Sequence, residues 1–409
     1  MKIALITLGT RGDVQPYAVL GKALQERGHA VVLCTARNFE GLVKTYGISF
    51  LPVELDFQEL IESEEAKKIM KNPFSMKKYL HDTLFPKMSD AFQVFYELAK
   101  ENDKVLFHIK TLCDYFADAF PDKMIRTDVI PAGEKTKAFP NPVFSALGLP
   151  EWLNRLTYKL TALGLKMWQK PILAIRARAG LSPVFVRPAL PSIYGISELV
   201  LPKPADYPAN SYFTGFWNLS PDGELDKTLQ DFLQAGEPPL LITFGSMPFE
   251  NKAGLTALIK SIQSIPHIRI IVVKGWGLSD TTEIEAYDNV KVIASAPYDL
   301  LLPHVKAVVH HGGIGTTAAC LRAGKPMFIC PVLYPFGDQH FWGMIIFRKG
   351  WGLKPVPLKK MTEKIFLKQV SALLTNADLY KATENIGIQL RAEDGVSRAI
   401  DIIEGKRVD

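Results

Sequence analysis

Cysteine is scarce in this chain: Cys34, Cys113, Cys320 and Cys330 are the four it has. None forms a Cys-x-x-Cys pair, and their intervals fit neither a zinc site nor a disulfide framework. They read as reduced, small core residues. Long apolar runs are also lacking. No stretch approaches the roughly 20 apolar residues that a membrane-spanning helix needs. The segment IALITLGT after Lys2 is too short for an export signal and has no small-residue cleavage site, so a cytoplasmic location is expected. Charge of one sign is not in large excess. The net charge of +6 is mild for 409 residues and suits an anionic small ligand or an acidic membrane surface. No Lys/Arg-rich block with interleaved aromatics suggests nucleic acid. Hydrophobic residues at 47% and charged residues at 22% set aside a disordered chain. The length is too great for one ordinary core, so two domains are expected.

Strand and helix patterns alternate. KIALITL (2–8) is an apolar run ending in a Gly-rich turn, followed by a helical pattern with Val14, Leu20, Ala23 and Leu24 on one side that stops at Gly28. AVVLCT (30–35) is a second buried strand. Strand, helix, strand at this spacing predicts a parallel βαβ unit, and the pattern recurs at 104–109 and 124–130. From residue 239 it repeats as PLLITFGS, IRIIVVKG, NVKVIAS, AVVHHGG and PMFICP, apolar almost throughout as buried parallel strands are. A proline-rich stretch with Pro202, Pro204, Pro208 and Pro221 separates the two α/β halves. Within the first half, Leu153, Leu156, Leu160, Leu163 and Met167 share a helix face, with Arg155, Lys159, Lys166 and Lys170 beside it. Two readings stand for 152–178: a surface helix packed on the domain, or an element in weak peripheral contact with anionic lipid.

Several strand ends carry chemistry. His310-His311-Gly312-Gly313-Ile314-Gly315-Thr316-Thr317 follows a strand and opens a helix. Glycines let a phosphate approach the backbone, and a helix N-terminus offers free N–H groups and a positive dipole end. His311 and Thr316 add donors. The alternative is an ordinary strand-to-helix turn with a Thr cap. Gly313-x-Gly315-x-x-Ala318 also matches a dinucleotide fingerprint, but the next strand ends in Cys330-Pro331, not in an acid for the ribose. Asp338-Gln339 sets a carboxylate beside an amide in an aromatic-rich loop, a pair that can share adjacent sugar hydroxyls or simply be solvated. In Gly9-Thr10-Arg11-Gly12-Asp13, Asp13 is either a general base or the helix N-cap. Gly245-Ser246 could meet phosphate or acceptor, Trp276 in Lys274-Gly275-Trp276-Gly277 could stack on a nucleobase or be a buried core tryptophan, and Pro297 opens a loop where a base edge could meet the backbone. His108, ending VLFHI, is a reserve base or a structural histidine.

With these residues in hand, the chain resembles the family 1 glycosyltransferases of the GT-B fold, with a likeness to bacterial and fungal sterol glucosyltransferases and to glycopeptide-antibiotic glycosyltransferases. GTRGDVQP (9–16), TFGS (243–246), KGWG (274–277), HHGGIGTTAACLRAGKP (310–326) and PFGDQHFWG (335–343) carry the resemblance. It implies an α/β chain of two facing Rossmann-like domains with parallel sheets and an interdomain cleft. The expected boundaries are an acceptor-binding domain over 1–200, a linker over 201–222, a nucleotide-sugar-binding domain over 223–385, and a helical tail over 386–409 returning to the N-terminal domain. The resemblance further implies an inverting, metal-independent UDP-sugar hexosyltransferase with no cofactor, using UDP-glucose and a lipophilic acceptor. His311, Gly313, Gly315, Thr316 and Ser246 would hold the donor diphosphate. Asp338 and Gln339 would hold its sugar, and Trp276 and Pro297 its base. Asp13 falls where plant relatives place a catalytic histidine, and no His–Asp dyad is expected here. An NAD(P)-dependent oxidoreductase, or a nucleotide-sugar epimerase or binder on the same scaffold, is the alternative.

Overall fold

The computed structural model describes residues 1–55, 78–165, 169–218, 223–245, 252–274 and 281–406. Strands β1 (Lys2–Ile6), β2 (Ala30–Ala36), β3 (Ser49–Val53), β4 (Lys104–Phe107), β5 (Met124–Asp128), β6 (Ser192–Tyr194) and β7 (Ser211–Phe213) form one sheet. Its order is β3-β2-β1-β4-β5-β6-β7, and every pairing is parallel. Strands β8 (Leu240–Thr243), β9 (Ile270–Val273), β10 (Val290–Ile293), β11 (Ala307–His310), β12 (Met327–Ile329) and β13 (Gly352–Leu353) form the other, in the order β10-β9-β8-β11-β12-β13, also all parallel. These are two doubly wound sheets. Each reverses direction at one point, between β1 and β4 in the first and between β8 and β11 in the second. Ligands of such sheets bind in the crevice beyond the carboxyl ends of the strands at that point.

The inner strands are apolar because helices cover both faces. Ile3 and Leu5 face one layer of core with Val14, Tyr17, Ala18 and Leu20, while Ala4 and Ile6 face another with Phe92, Phe95 and Phe116. In the helix Arg11–Glu26 those inward positions fall three and four residues apart, which puts them on one stripe.

Two expectations need correction. β7 lies inside the stretch expected as a linker, because Ser211–Phe213 extends the N-terminal sheet by pairing with β6. At the other end, the helix Ala377–Ala392 stays with the second half, against the helix Ile314–Arg322. The chain crosses back only at Glu393–Asp394. The helix Gly395–Ile403 then buries Val396, Ala399, Ile400 and Ile403 among Leu20, Leu24 and Val31 of the first half. The two crossings touch each other. A Cβ on Gly395 would lie 2.6 Å from the carbonyl carbon of Gly215, and Ser197 donates to Glu393 Oε1 at 2.7 Å.

Candidate active site

Asp13 sits in the loop that follows β1, third residue of the helix Arg11–Glu26. It is not the N-cap; Thr10 is. Its Oδ2 accepts hydrogen bonds from Thr10 N at 2.8 Å and from Thr10 Oγ1 at 3.2 Å, the backward reach of a capping-box acid. The carboxylate folds over Gly9, whose φ is +140° and where a Cβ would lie 2.2 Å from Oδ2. Glycine is therefore demanded at 9 by this placement. Oδ1 is left for other partners, and it meets Lys110 Nζ at 2.7 Å. Burial alone would raise the Asp13 pKa, but the charge and hydrogen bond of Lys110, with Thr10 N–H, hold it below its ordinary value.

β4 runs beside β1, so the residues after it stand next to Asp13. His108 is fully buried. Lys110 N donates to its Nδ1 at 3.2 Å, which leaves the proton on Nε2. Nε2 faces Asp128 Oδ1 at 3.3 Å and Asp13 Oδ1 at 3.6 Å. Burial pushes the imidazole pKa down to about 3, so it is neutral at physiological pH. Burial likewise drives Asp128 well above the carboxylate range, though Ile109 N donates to it. His108 thus lies between two carboxylates, although among the described residues its Nε2 makes no hydrogen bond to either. Neither Lys110 nor Asp128 was found from sequence. Only their strand ends, three positions past β4 and at the tip of β5, carry a signal, and it becomes readable once β1, β4 and β5 are known to be neighbours.

On the facing domain, the loop after β11 bears the glycines. Gly313 caps the helix Ile314–Arg322, and Thr317 Oγ1 donates to the Gly313 carbonyl at 2.9 Å. The His311 ring is wedged between two glycines. A Cβ on Gly245 would lie 2.8 Å from its Cε1, and one on Gly313 would lie 2.5 Å from its Nε2. Among the described residues its buried Nδ1 has no hydrogen-bond partner, and burial lowers its pKa to about 4. His310 turns inward, where its Nδ1 accepts from Gly312 N at 3.1 Å. Gly315 differs from its neighbours. Among the described residues nothing beyond its own helix lies within 4 Å of the Cβ it lacks, so they leave the space over it open. Thr316 is half-buried beside it.

Asp338 precedes the helix Gln339–Arg348, and Trp342 Nε1 donates to its Oδ2 at 3.1 Å. Burial raises its pKa. Lys110 opposes that rise and Asp13 adds to it, so charges of both domains act on one another across the cleft. Gln339 is buried and partly spent: its Oε1 accepts from Val332 N at 2.7 Å and Leu333 N at 2.9 Å. In the expected Asp338–Gln339 pair, Gln339 therefore brings the Nε2 donors and Asp338 the acceptors. Pro297 is exposed at the start of the helix Tyr298–Leu301 and lines a hollow of about 280 Å³ with Asp226, Lys291 and Ser295. Tyr298 Oη lies 2.7 Å from Thr243 Oγ1 at the end of β8. Ser246 and Trp276 lie outside the described residues.

The two halves meet beside Asp338. Gly337 N donates to the Val143 carbonyl at 3.1 Å, and the Phe139 and Phe341 rings pack edge to face at 5.3 Å.

Comparison with known proteins agrees with this architecture. The pattern of the glycosyltransferase family 28 N-terminal domain matches residues 3–109, and that of the erythromycin biosynthesis protein CIII-like C-terminal domain matches 257–394. O-mycaminosyltylonolide 6-deoxyallosyltransferase of Streptomyces fradiae is 30% identical over 99% of this chain and 97% of its own length. A sterol 3-beta-glucosyltransferase of Arabidopsis thaliana is 29% identical over 98% of this chain, which spans 67% of that relative. Against the sterol 3-beta-glucosyltransferase of Aspergillus fumigatus the identity is also 29%, and the chain spans 30% of it. The calicheamicin glycosyltransferase CalG4 superposes with a TM-score of 0.70 at 14% identity, covering 99% of this chain and 97% of that one, which speaks for the fold.

Proposed function

Because the chain belongs to the family of GT-B glycosyltransferases that contains O-mycaminosyltylonolide 6-deoxyallosyltransferase, we propose that it moves a hexose, glucose before others, from a UDP-sugar to a hydroxyl of a lipophilic acceptor with inversion. Membership of that family sets aside the NAD(P)-dependent oxidoreductase. The opposition of two strand-end loops supports the reading best: ionised Asp13 on one domain, and on the other a neutral, glycine-lined helix N-terminus beside Asp338.

The steps follow from the residues. The acceptor hydroxyl gives its proton to Asp13 Oδ1 as its oxygen bonds to the anomeric carbon. The bond from that carbon to the diphosphate oxygen breaks, and its electron pair leaves with UDP. Asp13 is already ionised at neutral pH, because its pKa is held low, so it needs no prior deprotonation. Charge developing on the diphosphate falls toward His311, Thr316 and the free N–H groups at the start of the helix Ile314–Arg322. Fixed dipoles of this kind cost no reorganisation as the charge appears. Asp338 and Gln339 Nε2 hold the sugar hydroxyls. Ser246, Trp276 and Pro297 belong to the same proposed donor site. His108 is too deeply buried to be the base and instead supports Asp13 from behind. The chemistry is proposed to run without a metal or cofactor. A cytoplasmic setting suits the four cysteines, all buried and unpaired.

Calorimetric titration with UDP, UDP-glucose and TDP-glucose, without added metal, tests the donor half. Tight UDP and UDP-glucose binding is expected, and heat from none of the three would overturn the proposal. UDP release that needs an added lipophilic alcohol tests the rest. UDP-glucose turned over with no alcohol present would point to an epimerase.

A further inference from the structure

The helix Asn154–Leu165 is packed inside out. Its polar side faces the domain: Asn154, Thr157 and Tyr158 are buried. Thr157 Oγ1 accepts from Asn141 N at 2.8 Å and donates to the Asn154 carbonyl at 2.6 Å, and Asn154 Nδ2 donates to the Lys137 carbonyl at 2.8 Å. The leucines, three and four residues apart, therefore point to solvent. Leu156, Leu160 and Leu163 are exposed, Leu163 by 60%, and Trp152 at the helix approach is 80% exposed. The helix is thus packed on the domain, as one reading expected, but by its polar side and with the leucines outward. Met167 and Lys166 lie outside the described residues. The apolar surface continues toward the cleft through exposed Leu147 and Leu149. Phe144, in the turn before them, meets the ring of Phe336 at 6.0 Å, on the loop that carries Asp338.

Charge selects what covers this face. The 46 residues between Glu151 and Glu198 contain seven Lys and Arg and no acid. Arg176 is buried and paired with Asp118, but Arg155, Lys159 and Lys170 are exposed around the leucine stripe. Glu151 stands at one end of it, and Asp206 lies near Arg155. A second copy of the chain would fit poorly. A two-fold contact sets the same patch against itself, bringing Arg155 and Lys159 of both copies together with no acid in the segment to meet them. Exposed apolar side chains flanked by cations suit an anionic bilayer surface, with tryptophan at headgroup depth.

We propose that this face docks the protein on anionic lipid and turns the mouth of the cleft toward the membrane, so that a lipophilic acceptor enters from the bilayer; the last clause rests on the function proposed above. Among the described residues no helix is long and apolar enough to cross a membrane, and docking requires none.

Sedimentation of the full chain with vesicles tests this, using phosphatidylcholine alone and a mixture containing phosphatidylglycerol. Binding to the anionic vesicles at low salt is expected, at least fivefold tighter than to the neutral ones. The triple variant Trp152→Ser/Leu156→Ser/Leu160→Ser should lose at least tenfold on both. Arg155→Gln/Lys159→Gln should lose severalfold on anionic vesicles only. All four named side chains at 152, 155, 156 and 159 are exposed, as is Leu160, so melting temperature and UDP affinity should not move. Absence of wild-type binding to anionic vesicles at low salt overturns the proposal, as does wild-type binding by both variants. A dimer in sedimentation velocity that the triple variant dissolves, without vesicle binding, assigns the face to self-association and also overturns it. Donor binding is read separately: vesicle binding without UDP-glucose binding leaves docking standing and sinks the transfer reading, and the reverse result sinks docking alone.

Discussion

At the switch point between β1 and β4, side chains that carry or exchange protons crowd together: Lys110 meets Asp13, Asp13 faces His108, and His108 faces Asp128. At the matching point of the other sheet, between β8 and β11, Gly245 and Gly313 make room for the neutral His311 ring, and Gly315 leaves the start of the following helix uncovered by side chains of the described residues. The topology is the same and the chemistry opposite. A group that must accept a proton needs a carboxylate whose ionisation is set by neighbours, and neighbours take up room. A group that must receive a large anion needs room and undirected backbone donors, and side chains would fill it. One architecture thus serves two tasks through what is placed at the strand ends.

The largest effect should come from the crowded side. Asp13→Asn keeps an oxygen to accept from Thr10 N, so the start of the helix should persist. It cannot take a proton, and turnover should fall roughly 10²- to 10⁴-fold. Turnover within a few-fold of wild type, with the melting temperature unchanged, would leave Asp13 as a capping residue only.

The open side is tested by two glycines that look alike in sequence. Gly313→Ala would drive a methyl group into the His311 ring and should cost both stability and UDP affinity. Gly315→Ala meets no atom of the described residues outside its own helix within 4 Å, and alanine favours a helix over glycine by up to about 1 kcal/mol. It should therefore keep or raise the melting temperature while weakening UDP binding about tenfold, the effect of losing roughly 1.4 kcal/mol of contact. A Gly315→Ala protein that binds UDP as well as wild type would show that the open space is not the phosphate's.

Legibility in the sequence followed burial. The inner strands β1, β2, β4, β5, β8, β9, β11 and β12 were readable because helices on both faces demand continuous apolar runs, and the edge strand β10 was readable because NVKVIAS keeps a β-branched pattern although it is only partly buried. Those that escaped sit at or beside sheet edges: β3 with Pro52 inside it, three-residue β6 and β7, and two-residue β13. Short edge strands carry little pattern, and proline is tolerated there. In the site, the glycine loop and Asp13 stood out because each is a compact motif. Lys110 and Asp128 did not, because they lie 97 and 115 residues from Asp13 and only the β1-β4-β5 order brings them near. The outward leucines of the helix Asn154–Leu165 misled for a related reason. Periodicity tells which residues share a face, not which way the face looks, and hydrogen bonds of Asn154 and Thr157 decided it.

Lys110 gives the finest test of the crowded side, because it acts on Asp13 without being needed to accept the proton. Burial raises the folded carboxyl, but it still lies below the ordinary carboxylate value because Lys110, together with its other neighbours and the Thr10 N–H, offsets burial. A depressed pKa contributes stability that is present above the unfolded value and is lost as pH falls through the folded one. In Lys110→Met, burial acts without that opposition and the Asp13 pKa rises. The acid limb of kcat/KM should then move to higher pH, while the alkaline plateau holds, since a less stabilised carboxylate is the stronger base. Lys110 is 40% exposed, so the ion pair is screened and its loss should cost less than about 1 kcal/mol of stability. An acid limb that stays where wild type has it, with turnover lowered equally at every pH, would mean that Lys110 touches the substrates and does not set the charge of Asp13.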